Sequence, residues 1–225
     1  MRGAGWSLVL GGTRGLGAEI ARAARDRGWR TIEVGRSASG SVEPDRQTVR
    51  CDLAAPEDVA SLVRRLDAER VDVDRFFWVA GAMGRGAFAE QDPAEVVRLV
   101  DVNLRNALLV AQWAWRHLQD RGGGGTFTVV ASTAAGAARP KEAVYSATKA
   151  AQAAFARSLA AENVDERVGV SLFLPGGMKT SLWSADPHPE FDSFLEPGAV
   201  AEWIVGLIER QREPFVERLI SRGSL

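Results

Sequence analysis

The sequence predicts an α/β fold in which helices cover both faces of a mostly parallel, seven-stranded sheet. Three observations predict it. Short apolar runs alternate with segments of helical periodicity over nearly the whole chain. The strand-like runs are almost continuously apolar, which is typical of strands that are buried on both faces. The length of 225 residues is common for a single open α/β domain.

The predicted elements follow one another in strand–helix order. Pro56 and Pro93 each begin a helix, because a proline in the first turn lacks only an N–H that has no intrahelical partner. Glycines at 122–125 separate the long third helix from the fifth strand. We expect one domain over residues 1–225, with a loop at 181–197 that is long enough to act as a substrate lid. The predicted strands are 7–10, 31–34, 48–51, 75–79, 126–131, 169–174 and 215–221, and the predicted helices are 16–27, 56–68, 93–119, 143–163 and 198–211.

Composition excludes several classes of function. Apolar content of 46%, charged content of 25% and a net charge of −1 without like-charge runs predict neither a nucleic-acid partner nor an anionic membrane surface. Cys51 is the only cysteine, which rules out an internal disulfide and a thiolate metal cluster. His117 and His188 are isolated, so we expect no metal site, and we predict that His117 faces solvent. Without a membrane span or a leader pattern, we expect a cytoplasmic location.

A glycine-rich turn follows the first predicted strand. Glycines are needed where a backbone turns tightly and must approach a diphosphate without a Cβ in the way. The helix that follows presents unpaired N–H groups and a partial positive charge to an anion. The alternative is a plain strand–helix turn without a ligand. The turn reads Gly11, Gly12, Thr13, Arg14, Gly15, Leu16 and Gly17.

Two arginines near this turn favour NADP over NAD. The second predicted strand is followed by Arg36 and Ser37, where a carboxylate would accept ribose hydroxyls and select NAD. Arg36 and Arg14 suit a 2′-phosphate, because a guanidinium binds phosphate in a forked geometry. Each is alternatively a solvated surface residue. Glu33 is a complication, since its side chain could approach the same ribose and oppose a phosphate there.

Tyr145 is the only tyrosine, and it stands four positions before Lys149, one of three lysines in a chain that otherwise uses arginine. Residues at i and i+4 lie on one face of a helix, so we expect the ammonium to lie near the phenol. A neighbouring cation favours the phenolate, and lowering its pKa from about 10 to about 7 takes about 4 kcal/mol. Such a tyrosine exchanges protons with a carbonyl or alcohol oxygen near neutral pH. The alternative is a surface or interface aromatic.

Together these residues resemble the short-chain dehydrogenase/reductase family, in its single-domain form and over essentially the whole chain. The resemblance implies a Rossmann-type, doubly wound fold. It implies a catalytic set of Asn103, Ser132, Tyr145 and Lys149, at the usual spacing of the family. The implied cofactor-binding residues are Gly11, Thr13, Arg14, Gly15, Leu16, Gly17, Arg36, Ser37, Asp52, Leu53, Ala80, Gly81, Tyr145, Lys149, Pro175, Gly176 and Thr180.

The resemblance also assigns roles within the catalytic set. Tyr145 would protonate the substrate oxygen and Ser132 would hold that oxygen in line by a hydrogen bond. Lys149 would bind the nicotinamide ribose and lower the tyrosine pKa. Asn103 would hold a water that connects Lys149 to solvent. Singly, Ser132 is more often a helix cap and Asn103 more often bonds locally to the backbone.

The family pattern is broken before Ala80. Two asparagines usually stand there, and one of them ties neighbouring strands together. This chain has Trp78 and Val79 instead, which we interpret as packing substitutes that leave the proton chemistry intact.

We therefore expect an NADP(H)-dependent oxidoreductase that acts on a small-molecule carbonyl or secondary alcohol. The alternatives are a non-catalytic NADP-binding regulator of the same fold, or a lyase or epimerase variant. The substrate itself is left open by the sequence, because loops shape the pocket. The resemblance makes Met83, Phe88, Ala134, Ala135 and Ala138 candidate pocket residues.

We also expect a homodimer or homotetramer. Trp113 and Trp115 lie on the long helix, and the helix around 150–161 is rich in small residues that let helices approach closely. In the family that the chain resembles, these two helices often form a dimer contact. The alternative is that both tryptophans pack on the chain's own sheet.

Overall fold

A computed structural model describes residues 5–122, 124–183 and 188–221. Its seven strands form one sheet with the order β3-β2-β1-β4-β5-β6-β7, and every strand pairing is parallel. This confirms the predicted α/β architecture. The strands are β1 (Trp6–Leu10), β2 (Arg30–Gly35), β3 (Arg46–Arg50), β4 (Val73–Trp78), β5 (Gly125–Val130), β6 (Val168–Pro175) and β7 (Phe215–Ile220).

The helices agree with prediction except for the long one. Residues 93–119, predicted as one helix, contain a π-helical turn at Asp101–Arg105, which we call the π-turn. Turns of this kind are rare and occur mostly as single interruptions of α-helices, and the sequence pattern did not predict this one. The helices are α1 (Gly15–Asp26), α2 (Pro56–Ala68), α3 (Pro93–Val100), α4 (Asn106–Asp120), α5 (Ala143–Glu162) and α6 (Pro197–Arg210).

Consecutive phenylalanines show how the sheet is buried on both faces. Phe76 and Phe77 are both completely buried, and successive side chains of a strand point to opposite faces. Phe76 packs on Phe127 at 4.8 Å between ring centroids, in the core under α2, α4 and α5. Phe77 belongs to the second core, with residues of α1 and α6 such as Ile204. Each such ring contributes about 1.5–3 kcal/mol by its burial, so this dipeptide contributes to the packing of both helical layers.

The main chain ties β1 to the end of β4. The carbonyl of Leu10 accepts hydrogen bonds from the N–H groups of Val79, at 3.0 Å, and Ala80, at 2.8 Å. Trp78 is completely buried and lies edge-on to Phe155, with 5.8 Å between ring centroids. Trp78, one of the two residues that depart from the family pattern, is therefore a packing residue. Main-chain hydrogen bonds join the ends of β1 and β4.

The end of α4 packs closely on the body of the chain. His117 accepts a hydrogen bond from the Val73 N–H at 3.0 Å and stacks on Trp113, and burial lowers its pKa. The prediction of a solvent-facing histidine is therefore wrong. Trp113 donates to Asp67 at 2.6 Å, and Trp115 lies edge-on to a core phenylalanine. Both tryptophans thus contact their own chain.

In residues 5–122, 124–183 and 188–221, no helix combines the length and apolar character that a bilayer crossing requires. The same residues contain no group of three or more histidine, cysteine, aspartate or glutamate side chains arranged to hold a metal ion.

Candidate active site

A cavity of about 420 Å³ opens at the carboxyl ends of the central strands, where the chain order of the strands reverses between β1 and β4. Open parallel sheets bind ligands at this kind of position. Most residues that the sequence analysis assigned to a cofactor line the cavity. These are Gly11, Thr13, Arg14, Gly15, Leu16, Gly17, Arg36, Asp52, Leu53, Ala80, Gly81, Tyr145, Lys149 and Thr180.

Five predicted site residues do not line the cavity. Ser37 donates a hydrogen bond to the lining residue Thr13 at 3.1 Å. Pro175 ends β6, and the N–H of Gly176 is held by the Ile220 carbonyl of β7. Asn103 and Ser132 lie outside the lining, where Asn103 bonds to the lining residue Ala82 and Ser132 to the lining residue Tyr145.

Several lining residues were not predicted. Arg98 of α3 belongs to no recognisable motif, and Met178 lies between the predicted residues Gly176 and Thr180. Cys51 also lines it, and burial raises the pKa of its thiol to about 12, which keeps the sulfur neutral as expected of a small apolar residue. Met83 lines the cavity as predicted, whereas Phe88 is 65% exposed and lies on a separate surface groove.

Two glycines of the turn leave no space for a side chain. Gly11 has a φ of +91°, and a Cβ there would lie 2.6 Å from the Ala80 nitrogen. A Cβ on Gly17 would lie 2.0 Å from the Gly11 carbonyl oxygen. Arg14, at the N-cap of α1, makes no side-chain cap, so the first N–H groups of the helix keep their capacity to bind an anion.

The charges around the turn favour an anion. Arg14 and Arg36 both line the cavity, and among the residues described no carboxylate lies within 4.0 Å of either guanidinium. Glu33, expected as a possible opponent of a phosphate, is buried and held instead by Arg25 and Arg46. The latter bond is bidentate at 3.0 Å and draws the carboxylate towards the start of β3, away from the cavity.

Tyr145 and Ser132 meet at the inner end of the cavity. Ser132 accepts a hydrogen bond from the Ala134 N–H at 3.1 Å, which leaves its hydroxyl proton available. Burial raises the pKa of Tyr145 to about 12, although its hydrogen bond with Ser132 acts in the opposite direction. The expected depression of this pKa is therefore wrong, because desolvation of the phenolate raises the pKa and the nearby charge of Glu142 raises it further.

Lys149 lies beside the phenol, as its spacing predicts. Its Nζ is 5.8 Å from the centroid of the Tyr145 ring and donates hydrogen bonds to Val130 O at 3.2 Å and to Gln152 Oε1 at 2.9 Å. Burial lowers the pKa of Lys149 to about 7. At neutral pH the site thus combines a protonated phenol with a lysine that is close to its titration midpoint.

Asn103 lies at the centre of the π-turn and is completely buried. Its side-chain amide donates to Ala82 O at 2.8 Å and to Thr148 Oγ1 at 3.0 Å, and its Oδ1 accepts from Ala82 N at 2.6 Å. Its main-chain carbonyl accepts from Gln152 Nε2 at 2.6 Å. Gln152 was not predicted as a site residue. A lone polar residue three positions after Lys149 on an alanine-rich helix does indicate a contact with that lysine.

Beyond the phenol the cavity becomes apolar. Met83, Met178 and Leu182 line this end, and Trp183 packs close to it against Phe194, with 5.1 Å between ring centroids. Residues 184–187 of the predicted lid at 181–197 lie outside the described residues.

Comparisons with known proteins show the family and the fold. A family model described as short chain dehydrogenase matches residues 6–190. The chain is 29% identical to tetrahydroxynaphthalene reductase of Pyricularia oryzae over 189 residues, which are 80% of this chain and 66% of that protein. It is 31% identical to versicolorin reductase 1 of Aspergillus parasiticus over 80% of this chain and 71% of that protein. A crystal structure of 3-ketoacyl-(acyl-carrier-protein) reductase from Brucella melitensis, complexed with NADH, superimposes with a TM-score of 0.86 at 24% identity and 98% coverage of both chains, which shows the shared fold.

A substitution at Gly17 tests how closely the backbone of the glycine turn is packed. We expect Gly17→Ala to lower the free energy of unfolding by about 1–3 kcal/mol, because the added methyl group collides with the Gly11 carbonyl. Alanine is otherwise the better helix former by about 1 kcal/mol. Urea denaturation measures the difference. The control is Gly136→Ala, where no atom lies within 4 Å of the added Cβ. Equal stability of the two variants would show that the turn has room to spare.

Proposed function

The chain belongs to the short-chain dehydrogenase family of oxidoreductases, and from this premise we propose that it transfers hydride between NADP(H) and a carbonyl or secondary-alcohol substrate. One observation carries the proposal. Tyr145, Ser132 and Lys149 converge at one end of a cavity whose other end is formed by the glycine turn and two arginines.

The residues present fit a nicotinamide dinucleotide. Gly11 and Gly17 have no room for a Cβ against the chain's own backbone, so they allow the tight turn through which the backbone would approach the diphosphate. Asp52 and Leu53 would contact the adenine ring, and Lys149 the nicotinamide ribose, as the family resemblance implies. The bound cofactor would supply or accept the hydride.

In this proposal the chain's own residues bind, orient and protonate the substrate. The phenol of Tyr145 is protonated at neutral pH and would donate that proton to the carbonyl oxygen, which favours reduction. The hydroxyl proton of Ser132 would point to the same oxygen, since the Ala134 N–H already occupies a lone pair of the hydroxyl. The ammonium of Lys149 would stabilise the phenolate that is left behind.

Removal of the phenol hydroxyl tests this role. We expect Tyr145→Phe to reduce turnover by about 10²–10⁴-fold while NADPH binding, followed by fluorescence titration, changes little. The assay is NADPH oxidation over a panel of ketones and aldehydes. Because the relatives carry the names of hydroxynaphthalene, versicolorin and 3-oxoacyl reductases, the panel includes hydroxynaphthalenes and 3-oxoacyl thioesters.

Ser146→Ala is the matched control. It removes a buried hydroxyl next to Tyr145 that has no hydrogen-bond partner among the described residues, and should leave turnover unchanged. Near-normal turnover of Tyr145→Phe would remove the tyrosine from the mechanism. Tight NADPH binding by the wild type without turnover of any compound would instead favour a nucleotide-binding regulator.

The preference for NADP is part of the proposal. It is supported by the two cavity-lining arginines without carboxylate partners in the described chain, and by the engagement of Glu33 elsewhere. We expect Arg36→Ala to raise KM for NADPH by about 10-fold or more and to leave KM for NADH nearly unchanged. Arg50→Ala is the control, since Arg50 is exposed, pairs with Gly35 in the strand register and does not line the cavity. A wild type with the lower KM for NADH would overturn the assignment.

We further propose a homodimer or homotetramer, but with a different contact from the one that the tryptophans suggested. Phe88, Val100, Leu104 and Val144 line an apolar surface groove between the π-turn region and α5. The exposed lining of the groove is almost entirely apolar, and a second copy of the chain would bury it.

Introducing a charge into the groove tests this assembly. By light scattering, we expect the wild type to exceed its monomer mass of 24.2 kDa and Val100→Asp to dissociate towards it. Val164→Asp, at a valine that is 87% exposed and outside the groove, should assemble like the wild type. A wild-type particle of monomer mass would refute the proposal.

A further inference from the structure

A hydrogen-bonded chain of three residues lies behind the candidate active site. The Gln152 side chain is completely buried between Asn103 and Lys149. Its Nε2 donates to the main-chain oxygen of Asn103 at 2.6 Å, and its Oε1 accepts from Lys149 Nζ at 2.9 Å. This amide therefore links the π-turn to α5 and contacts Lys149 at the end of its side chain.

The orientation of the amide follows from its partners. The carbonyl of Asn103 can only accept, so the NH₂ group of Gln152 must face it. The oxygen of Gln152 must then face Lys149. Hydrogen bonds to the charged form of a group favour that form, and an oxygen in this position favours the ammonium over the neutral amine.

Among the residues that the structure describes, no carboxylate contacts this ammonium. Burial is the only cause of the lowered Lys149 pKa, without a contribution from any charged neighbour. In the described part of the chain its two acceptors are the uncharged oxygens of Val130 and Gln152. The titratable and charged groups that line the same cavity are Tyr145 on α5, Cys51 and Asp52 after β3, Arg98 on α3, Arg14 at the start of α1 and Arg36 after β2.

We propose that Gln152 is a positioning residue that holds Lys149 in its charged form, with an amide oxygen whose direction is set by the Asn103 carbonyl. The importance of this role rests on the proposed function, in which the ammonium of Lys149 stabilises the phenolate of Tyr145. The contact itself exists in the cofactor-free protein and can be tested there.

The titration of Lys149 gives the direct test. The chain has three lysines, so lysine labelled with ¹³C at the ε carbon gives three NMR signals, which Lys141→Arg and Lys179→Arg assign by elimination. We expect the Lys149 midpoint of the cofactor-free wild type at about 7. Gln152→Met keeps the length of the side chain and removes the acceptor, and should lower this midpoint by about one pH unit.

Gln119→Met is the matched control. Gln119 lies on α4 and contacts Asn163 rather than Lys149, so the same substitution there should leave the Lys149 midpoint in place. An unchanged midpoint in folded Gln152→Met would overturn the proposal. If that variant does not fold, the wild type still decides the matter. The side-chain amide signals of Gln152 should move with the same midpoint as Lys149, and pH-independent signals would exclude the contact.

The pH dependence of turnover separates the two proposals. The value of kcat/KM for NADPH reports groups of the free enzyme. In Gln152→Met its high-pH limb should move to lower pH by the same amount as the NMR midpoint. A merely structural residue would lower the rate at every pH without moving the limb. Absence of wild-type turnover on all substrates would refute the proposed function and leave the NMR result standing. Turnover with an unmoved midpoint would refute the role of Gln152 alone.

Discussion

The site depends on a buried cation that has no counterion in the part of the chain that the structure describes. Lys149 reaches the cavity through the packed interface of α5 with the sheet, and burial lowers its pKa to about 7. Its ammonium is held by neutral oxygens, one from the end of β5 and one from Gln152. A carboxylate would hold the charge more strongly, but it would also neutralise the field by which, in the proposed function, the ammonium stabilises the Tyr145 phenolate. Neutral acceptors leave that field in place.

The π-turn makes this arrangement possible. A π-turn interrupts the regular bonding of a helix, and in this chain the carbonyl of Asn103 points to Gln152. The side chain of Asn103 meanwhile fixes the backbone of Ala82, beyond the end of β4. One residue thus connects the loop that lines the cavity with the helix that carries both Tyr145 and Lys149. The π-turn in the long helix thus connects the parts of the site through the contacts of Asn103.

The fold was predictable because burial on both faces gives nearly continuous apolar strands, as in the segment that contains Phe76 and Phe77. The glycine turn and the proximity of Lys149 to Tyr145 were predictable from spacing. The direction of the tyrosine pKa shift was not, because spacing places a charge nearby without stating how much water is lost. Strand alternation likewise identified the face of Glu33 but not its ion pairs with Arg25 and Arg46. The single-domain organisation, the lid and the cytoplasmic location stay predictions.

A sole phenol has a practical consequence. Ionisation of a tyrosine changes its ultraviolet absorption, and in most proteins the signals of several phenols overlap. Here every such change originates from Tyr145, because the chain has no other tyrosine. The protein therefore carries its own optical reporter, without any label, at the atom where we propose that the proton is exchanged.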